Sequence, residues 1–311
     1  MTIRRISAKE YKSLFPQPFS IFNSVEFAEL NKGKCIDLHY LAFHESKTRL
    51  GIILGETDDM LLSPFSASYG GFSSNTAVPL QYYDEACLCL RDYTHSIGKK
   101  IRITLAPPLY DELDNVKTFR ALMSAGANIE SIDYNHHFNL SQFERYEELV
   151  DSKTRNKLHK SLTLGLQFHK LDSKNHDEVA RAYEVIRINH IRRGHPLKMS
   201  LQNVLDTIKV IPADFFIVTD QEGTDIAAAQ IFHTSPHTCQ VIYWGDVPDY
   251  PQLHSMNFLS YKVFEYYYNA HSSVKTIDIG ISTEDGTPNY GLCEFKENVG
   301  CLATTRFTLT L

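Results

Sequence analysis

Residues 275–300 read KTIDIGISTEDGTPNYGLCEFKENVG. Apolar side chains alternate through Ile277, Ile279 and Ile281, the period of a half-buried strand, which puts Asp278 on the other face. Polar turn residues follow, and then Tyr290, Leu292, Phe295 and Val299 recur at helical spacing as the core-facing arc of a short helix. Lys296 sits at the border of that arc, where a long aliphatic stem lies along apolar surface and carries its ammonium elsewhere. The first half of the chain has the same sequence of elements. KIRITLA (100–106) alternates as a strand, Pro107 and Pro108 break it, and residues 109–126 read as a helix closed by Gly126.

Outward from these two stretches the parallel continues. In the second half, 214–220, 225–233 and 238–245 read as strands, 253–271 as a helix and 303–311 as a final strand. In the first half the counterparts are strands at 38–43, 49–54 and 59–65, a helix at 81–97 and a strand at 131–140. Helices are also expected at 176–193 and 200–211. The order strand, strand, strand, helix, strand, helix, strand thus occurs twice, although the halves share almost no residue identity. It predicts an α/β (α+β) chain of two tandem acetyltransferase-type units, 1–145 and 146–311, each a mixed central sheet flanked by helices, with a ligand cleft between them. Two unrelated α/β domains are the competing account.

With 311 residues, 43% hydrophobic and 22% charged, the chain has material for two cores. A net charge of −6 argues against a protein that coats nucleic acid. No run approaches the ~20 apolar residues of a membrane helix, so no membrane insertion is expected. The start MTIRRISAKEYKSLF has no apolar h-region. The six cysteines form no CxxC pair. Together these features read as reduced thiols in a cytoplasmic protein. The 14 histidines, His136–His137 among them, show no HExxH-type spacing, so no metal site is expected.

One segment breaks the acidic balance. Residues 152–170, SKTRNKLHKSLTLGLQFHK, contain Lys153, Arg155, Lys157, Lys160 and Lys170 and no acid. On a helix Lys153, Lys157 and Lys160 share one face, and Leu158, Leu162 and Leu166 another. The segment is either a solvated linker helix or an anion site for phosphates or an RNA backbone, with Arg155, Lys157 and Lys160 as its cations.

R-N-K-x-x-K at 155–160, the strand with Asp278 followed by YGLCEFKENVG (290–300), and SPFSASYGGF (63–72) together resemble FemAB-type acyltransferases. The resemblance implies two acetyltransferase-like (GNAT-like) domains in tandem. It also implies transfer of an aminoacyl or acyl group to an amine of a phosphorylated cell-envelope precursor such as that of peptidoglycan. In the family, the pair matching Phe295–Lys296 lies at the inter-domain cleft and contacts acceptor phosphate and the reacting region.

The chain departs from the family pattern in two places. It lacks the long charged heptad insertion that forms a tRNA-associated arm. The loop DVPDYPQLHS (246–255) has two prolines, two aspartates (Asp246 and Asp249) and no glycine, where acyl-CoA enzymes hold pyrophosphate on backbone N–H groups. No tightly bound cofactor is expected, and aminoacyl-tRNA and acyl-CoA both stay open as acyl donors.

Acyl transfer to an amine needs a neutral amine, a positioned acyl carbon and a stabilised oxyanion. Lys296 and Asp278 are the candidate catalytic residues, Lys296 for a phosphate or the oxyanion and Asp278 to orient or deprotonate the amine. Phe295, Tyr69, Gly70, Gly71 and Trp244 join the three cations as candidate binding residues, the glycines because they let a ligand approach the backbone. Two alternatives remain: a catalytically silent double-GNAT protein binding a ligand or partner, and an acyltransferase of small-molecule biosynthesis that uses acyl-CoA or an acyl carrier protein.

Overall fold

In a computed structural model, which describes residues 1–195, 197–270, 273–284 and 286–311, the chain divides into two compact units. Unit 1 comprises Met1–Tyr134, Thr283–Thr287 and Thr304–Leu311, and unit 2 comprises Asn135–Ser282 and Pro288–Ala303.

Unit 1 runs β1 (Thr2–Ile6), α1 (Ala8–Leu14), α2 (Val25–Asn31), β2 (Asp37–His44), β3 (Thr48–Glu56), β4 (Met60–Ser63), β5 (Phe72–Ser74), α3 (Leu80–Ser96), β6 (Lys100–Thr104), α4 (Glu112–Ser124) and the start of β7 (Asn128–Asn139). Ser7, Ser24 and Asp111 cap α1, α2 and α4 by accepting a backbone N–H, as hydroxyl and carboxylate side chains do at helix starts. Its strand order is β1-β2-β3-β4-β6, with β4 and β6 parallel through Met60↔Lys100 to Ser63↔Ile103. Leu41, Phe43, Ile52, Leu54, Leu90, Ile101 and Leu122 build its core.

Unit 2 continues with α5 (Tyr146–Leu149), α6 (Ser152–Thr163), β8 (Gln167–Leu171), α7 (His176–Arg192), α8 (Leu201–Thr207), β9 (Ala213–Thr219), β10 (Asp225–His233), β11 (Thr238–Asp246), α9 (Ser255–Asn269) and β12 (Thr276–Ile281). After the short pair β13 (Thr283–Glu284) and β14 (Thr287–Pro288) come α10 (Tyr290–Asn298) and β15 (Leu302–Thr310). The strand order here is β8-β9-β10-β11-β12, again with one parallel pair at its end, Thr238↔Thr276 to Gln240↔Asp278. Both halves of the sequence therefore have the expected element order, each preceded by a strand and two helices.

The halves of the sequence nevertheless differ from the compact units. The expected boundary, 145/146, lies eleven residues beyond the division at Tyr134/Asn135, which falls inside β7. The end of β7 pairs antiparallel with β12 in unit 2 (Phe138↔Ile277), while β15, the last strand of the second half, pairs with β6 in unit 1 (Thr308↔Thr104). Each sheet is thus extended by a strand from the other half of the sequence, a long-range pairing that local periodicity does not encode. Among the described residues no helix is long and apolar enough to cross a membrane.

Candidate functional site

The chemistry-bearing residues of unit 2 gather at the end of β12. Ile277 and Ile279 point into the core with Phe138, Phe258 and Phe264, so Asp278 takes the other face, as the alternation predicts. That face is not solvated: Asp278 is 0% exposed. Its Oδ1 accepts from Asn135 Nδ2 (2.9 Å) and from the Gly280 amide (2.9 Å), and its Oδ2 accepts from Gln240 Nε2 (2.9 Å). Neighbouring strands supply its donors, and a buried carboxylate is tolerated only when so bonded.

Beyond Asp278 the strand bends. The ladder to β7 slips a register between Asp278 and Gly280, and Gly280 takes a left-handed φ of 75° that side chains resist. This turns the Gly280 and Ile281 carbonyls toward α10. Lys296 donates to both, at 2.9 and 2.8 Å, and is 2% exposed. Burial pushes its ammonium down to about 8, against the pull of Cys301, Asp278 and Cys293 nearby. Lys296 is therefore neither a snorkelling surface residue nor a border residue of the α10 arc. The arc itself also differs: Val299 is buried, but Tyr290 is 79% exposed at the helix start. Phe295 packs at the rim of the core, its ring 6.0 Å from that of Trp244 and edge-on to it, which places both as packing residues.

Two histidines of β7 complete the cluster. His136 is 0% exposed, its Nδ1 lies 3.0 Å from the Ser282 hydroxyl, and burial pushes its pKa down to about 4. His137 is half-buried and stands opposite Asp278 in the β7–β12 register, so the two side chains share a face. Burial also lowers its pKa, against the opposing effect of Asp278, and its Nδ1 is shielded from solvent without a hydrogen-bond partner. Sequence reasoning missed His137. The HH doublet was its only signal, and metal-ligand spacing was the wrong question to ask of it.

The basic segment forms α6, capped by Asp151. Thr154, Leu158 and Ser161 face inward, whereas Leu162, expected beside Leu158, is 42% exposed. The three candidate cations separate. Arg155 turns back to donate to the Val150 carbonyl at 3.2 Å. Lys157 and Lys160 are exposed and close enough to His254 to reinforce the lowering of its pKa by burial. His254 stands immediately before α9 in the left-handed region (φ 50°), taking without a glycine the conformation that a glycine turn would supply. Asp246 sits at the same helix start, its carboxylate accepting from the Ser255 hydroxyl at 2.9 Å. That carboxylate opposes a phosphate at this turn, as the loop composition predicts.

In unit 1, Tyr69 is fully buried and shares a 3.1 Å hydrogen bond with Ser20. It is a core residue rather than a surface for ligand. A Cβ on Gly70 would stand 2.5 Å from Ser63 Oγ and 2.8 Å from Pro64 N, and Gly71 has φ 113°. The two glycines also line a small cavity of about 120 Å³ with Asp111 and Asn115. The side chains of Asp37, His39 and Glu56 converge at metal-ligand distances. They form a closed ion-pair network instead: Arg5 holds Asp37 at 2.6 Å, Lys99 holds Glu56 at 2.7 Å, and His39 bridges Glu56 and Tyr93.

Solved structures share this fold over nearly the whole chain. FemX matches with a TM-score of 0.68 at 13% identity, covering 100% of this chain and 97% of its own. L-PGS from Bacillus licheniformis matches at 0.62 and 12%, covering 98% and 92%. A tandem GNAT protein from the clavulanic acid biosynthesis pathway matches at 0.56 and 8%, covering 99% and 97%. No family model matches the chain, and no curated protein matches it in sequence. The chain thus has the fold that FemX and this tandem GNAT protein share.

Proposed function

We propose that the chain is a FemAB-like N-acyltransferase that moves an aminoacyl or acyl group onto an amine of a phosphorylated cell-envelope precursor. The observation that supports this most is the buried ammonium of Lys296, fixed on two carbonyls beside the buried carboxylate of Asp278. A buried ammonium whose pKa is so lowered, in a cluster of buried polar groups, marks a site of chemistry more often than plain packing. In the proposed reaction the neutral amine attacks the acyl carbon, and a C–N bond forms as the C–O bond of an aminoacyl ester, or the C–S bond of a thioester, breaks. The amine proton goes to His137, whose lowered pKa favours the neutral imidazole, and passes from it to the leaving oxygen or sulfur, which departs as the alcohol or thiol. Asp278, itself fully buried, acts through that imidazole, which it faces across the β7–β12 pair. Lys296 uses two of its three donors on the carbonyls, and the third serves a phosphate or the developing oxyanion.

The same geometry also favours a second reading. An ammonium engaged by two main-chain carbonyls can act as a rivet for the bend of β12, as in a catalytically silent double-GNAT protein that binds a ligand or partner. Incubation of the pure protein with aminoacyl-tRNA and, separately, with acyl-CoA, with binding and transfer to an amine acceptor both measured, decides between the readings. Transfer from either donor supports the enzyme and names its donor class. Binding of neither leaves the silent reading standing and overturns the enzyme.

A further inference from the structure

A further cavity of unit 1 belongs to none of the residues above. It encloses about 570 Å³ between the end of α1, the β2–β3 hairpin and the end of β5. That is within the range of small-molecule sites, roughly 300–1,000 Å³. Its lining is polar apart from Leu14 and Pro16, and it contains two cations, Lys47 and Arg49, and no carboxylate. Neither cation forms an ion pair among the described residues. Arg49 is held in place all the same: its guanidinium carbon lies 4.5 Å from the centroid of the Tyr82 ring. Stacking of this kind fixes a guanidinium plane while leaving its edge donors open. Arg49 Nη1 is shielded from solvent and so does not open onto the cavity, which leaves the other guanidinium donors to a ligand there.

We infer that this cavity binds a phosphorylated sugar, with Arg49 as the anchor for its phosphate. The anion follows from two cations facing no acid, and the planar fork of Arg49 suits phosphate oxygens. The sugar follows from the remaining lining. The hydroxyls of Ser13 and Thr76 and the amide of Gln17 both donate and accept, as ring hydroxyls do, and the volume far exceeds that of a lone phosphate. The inference does not rest on the acyltransferase reading, since every residue it uses belongs to unit 1, whereas α6, α10 and β12 belong to unit 2.

The test is calorimetric titration of the full chain with glucose 6-phosphate, glucose and inorganic phosphate. Glucose 6-phosphate is expected to bind more tightly than either of the others. Arg49→Met should weaken it about tenfold or more, equivalent to about 1.4 kcal/mol. Lys47→Met, at an exposed hairpin position that leaves the fold intact, should weaken it less. Absence of binding to the parent protein, binding indifferent to both Arg49→Met and Lys47→Met, or inorganic phosphate binding as tightly as the sugar phosphate would each overturn the inference.

Discussion

Lys296 concentrates the question of function in one side chain. Its folded-state pKa lies near 8, below the usual lysine range, because burial disfavours the charge. If the charged form acts in the proposed reaction, turnover is full below that value and falls as pH rises through it. Measured against pH, kcat should therefore show an alkaline decline centred near 8, and an unchanged rate up to pH 10 would remove Lys296 from the mechanism. The stability sign is separate. Because the folded pKa is depressed, the burial penalty is fully present below about 8 and is relieved as pH rises toward the unfolded value. Lys296→Met keeps the stem, removes the charge and leaves two carbonyls without their donor. The protein should stay folded with a somewhat lower Tm, and turnover should fall roughly 30-fold or more, by the conversion of about 1.4 kcal/mol per decade.

Much at this scale was legible in the sequence. The alternation around Asp278 and the singularity of Lys296 were readable because both depend on local periodicity. Their burial was not, since the groups that cover them come from β7 and β11, distant in the chain. His137 was missed for the same reason: its meaning lies in a cross-strand partner 141 positions away in sequence, Asp278.

At the level of elements, α6 and the start of α9 form the basic surface of unit 2. The composition of 152–170 identified the helix and its cations, but not that Arg155 serves the backbone while Lys157 and Lys160 approach His254. Which side chain turns inward depends on the packing of α6 on its neighbours, which composition does not record. Lys157→Glu/Lys160→Glu should weaken binding of a phosphorylated ligand, and the loss should be larger at 20 mM salt than at 300 mM, where the Debye length is shorter. A phosphate-bearing ligand whose affinity is unaltered at low salt would make this face a solvated surface only. Elements with strong periodicity were read to within a few residues, whereas β1, α1, α2 and the short β5 went unread. β1 and α1 each bury a single residue, Ile6 and Tyr11, which leaves no period to read.

For the molecule as a whole, the division into units follows strand pairing rather than sequence halves. Unit 1 is held to its late-coming strand by more than the sheet: Arg306 on β15 pairs with Asp133 at 2.7 Å, with side chains 14% and 5% exposed, and donates to the Ser68 carbonyl at 2.8 Å. Breaking a buried pair by removing one partner typically costs about 3–5 kcal/mol. Arg306→Met should therefore lower the denaturant midpoint of the cooperative transition that reports unit 1. A midpoint equal to the parent's would show the pair to be dispensable. The repeated element order was readable from the sequence. The exchange of last strands was not, because the two candidates for each sheet edge have the same alternating pattern.

That exchange also bears on how the chain is made. A protein emerges from the ribosome from its first residue onward, and domains commonly fold in that order. Here the sheet begun by residues 2–6 lacks β15 until residues 302–310 have left the exit tunnel, after nearly all of unit 2 has been synthesised. The half of the chain translated first is the half whose sheet is completed last.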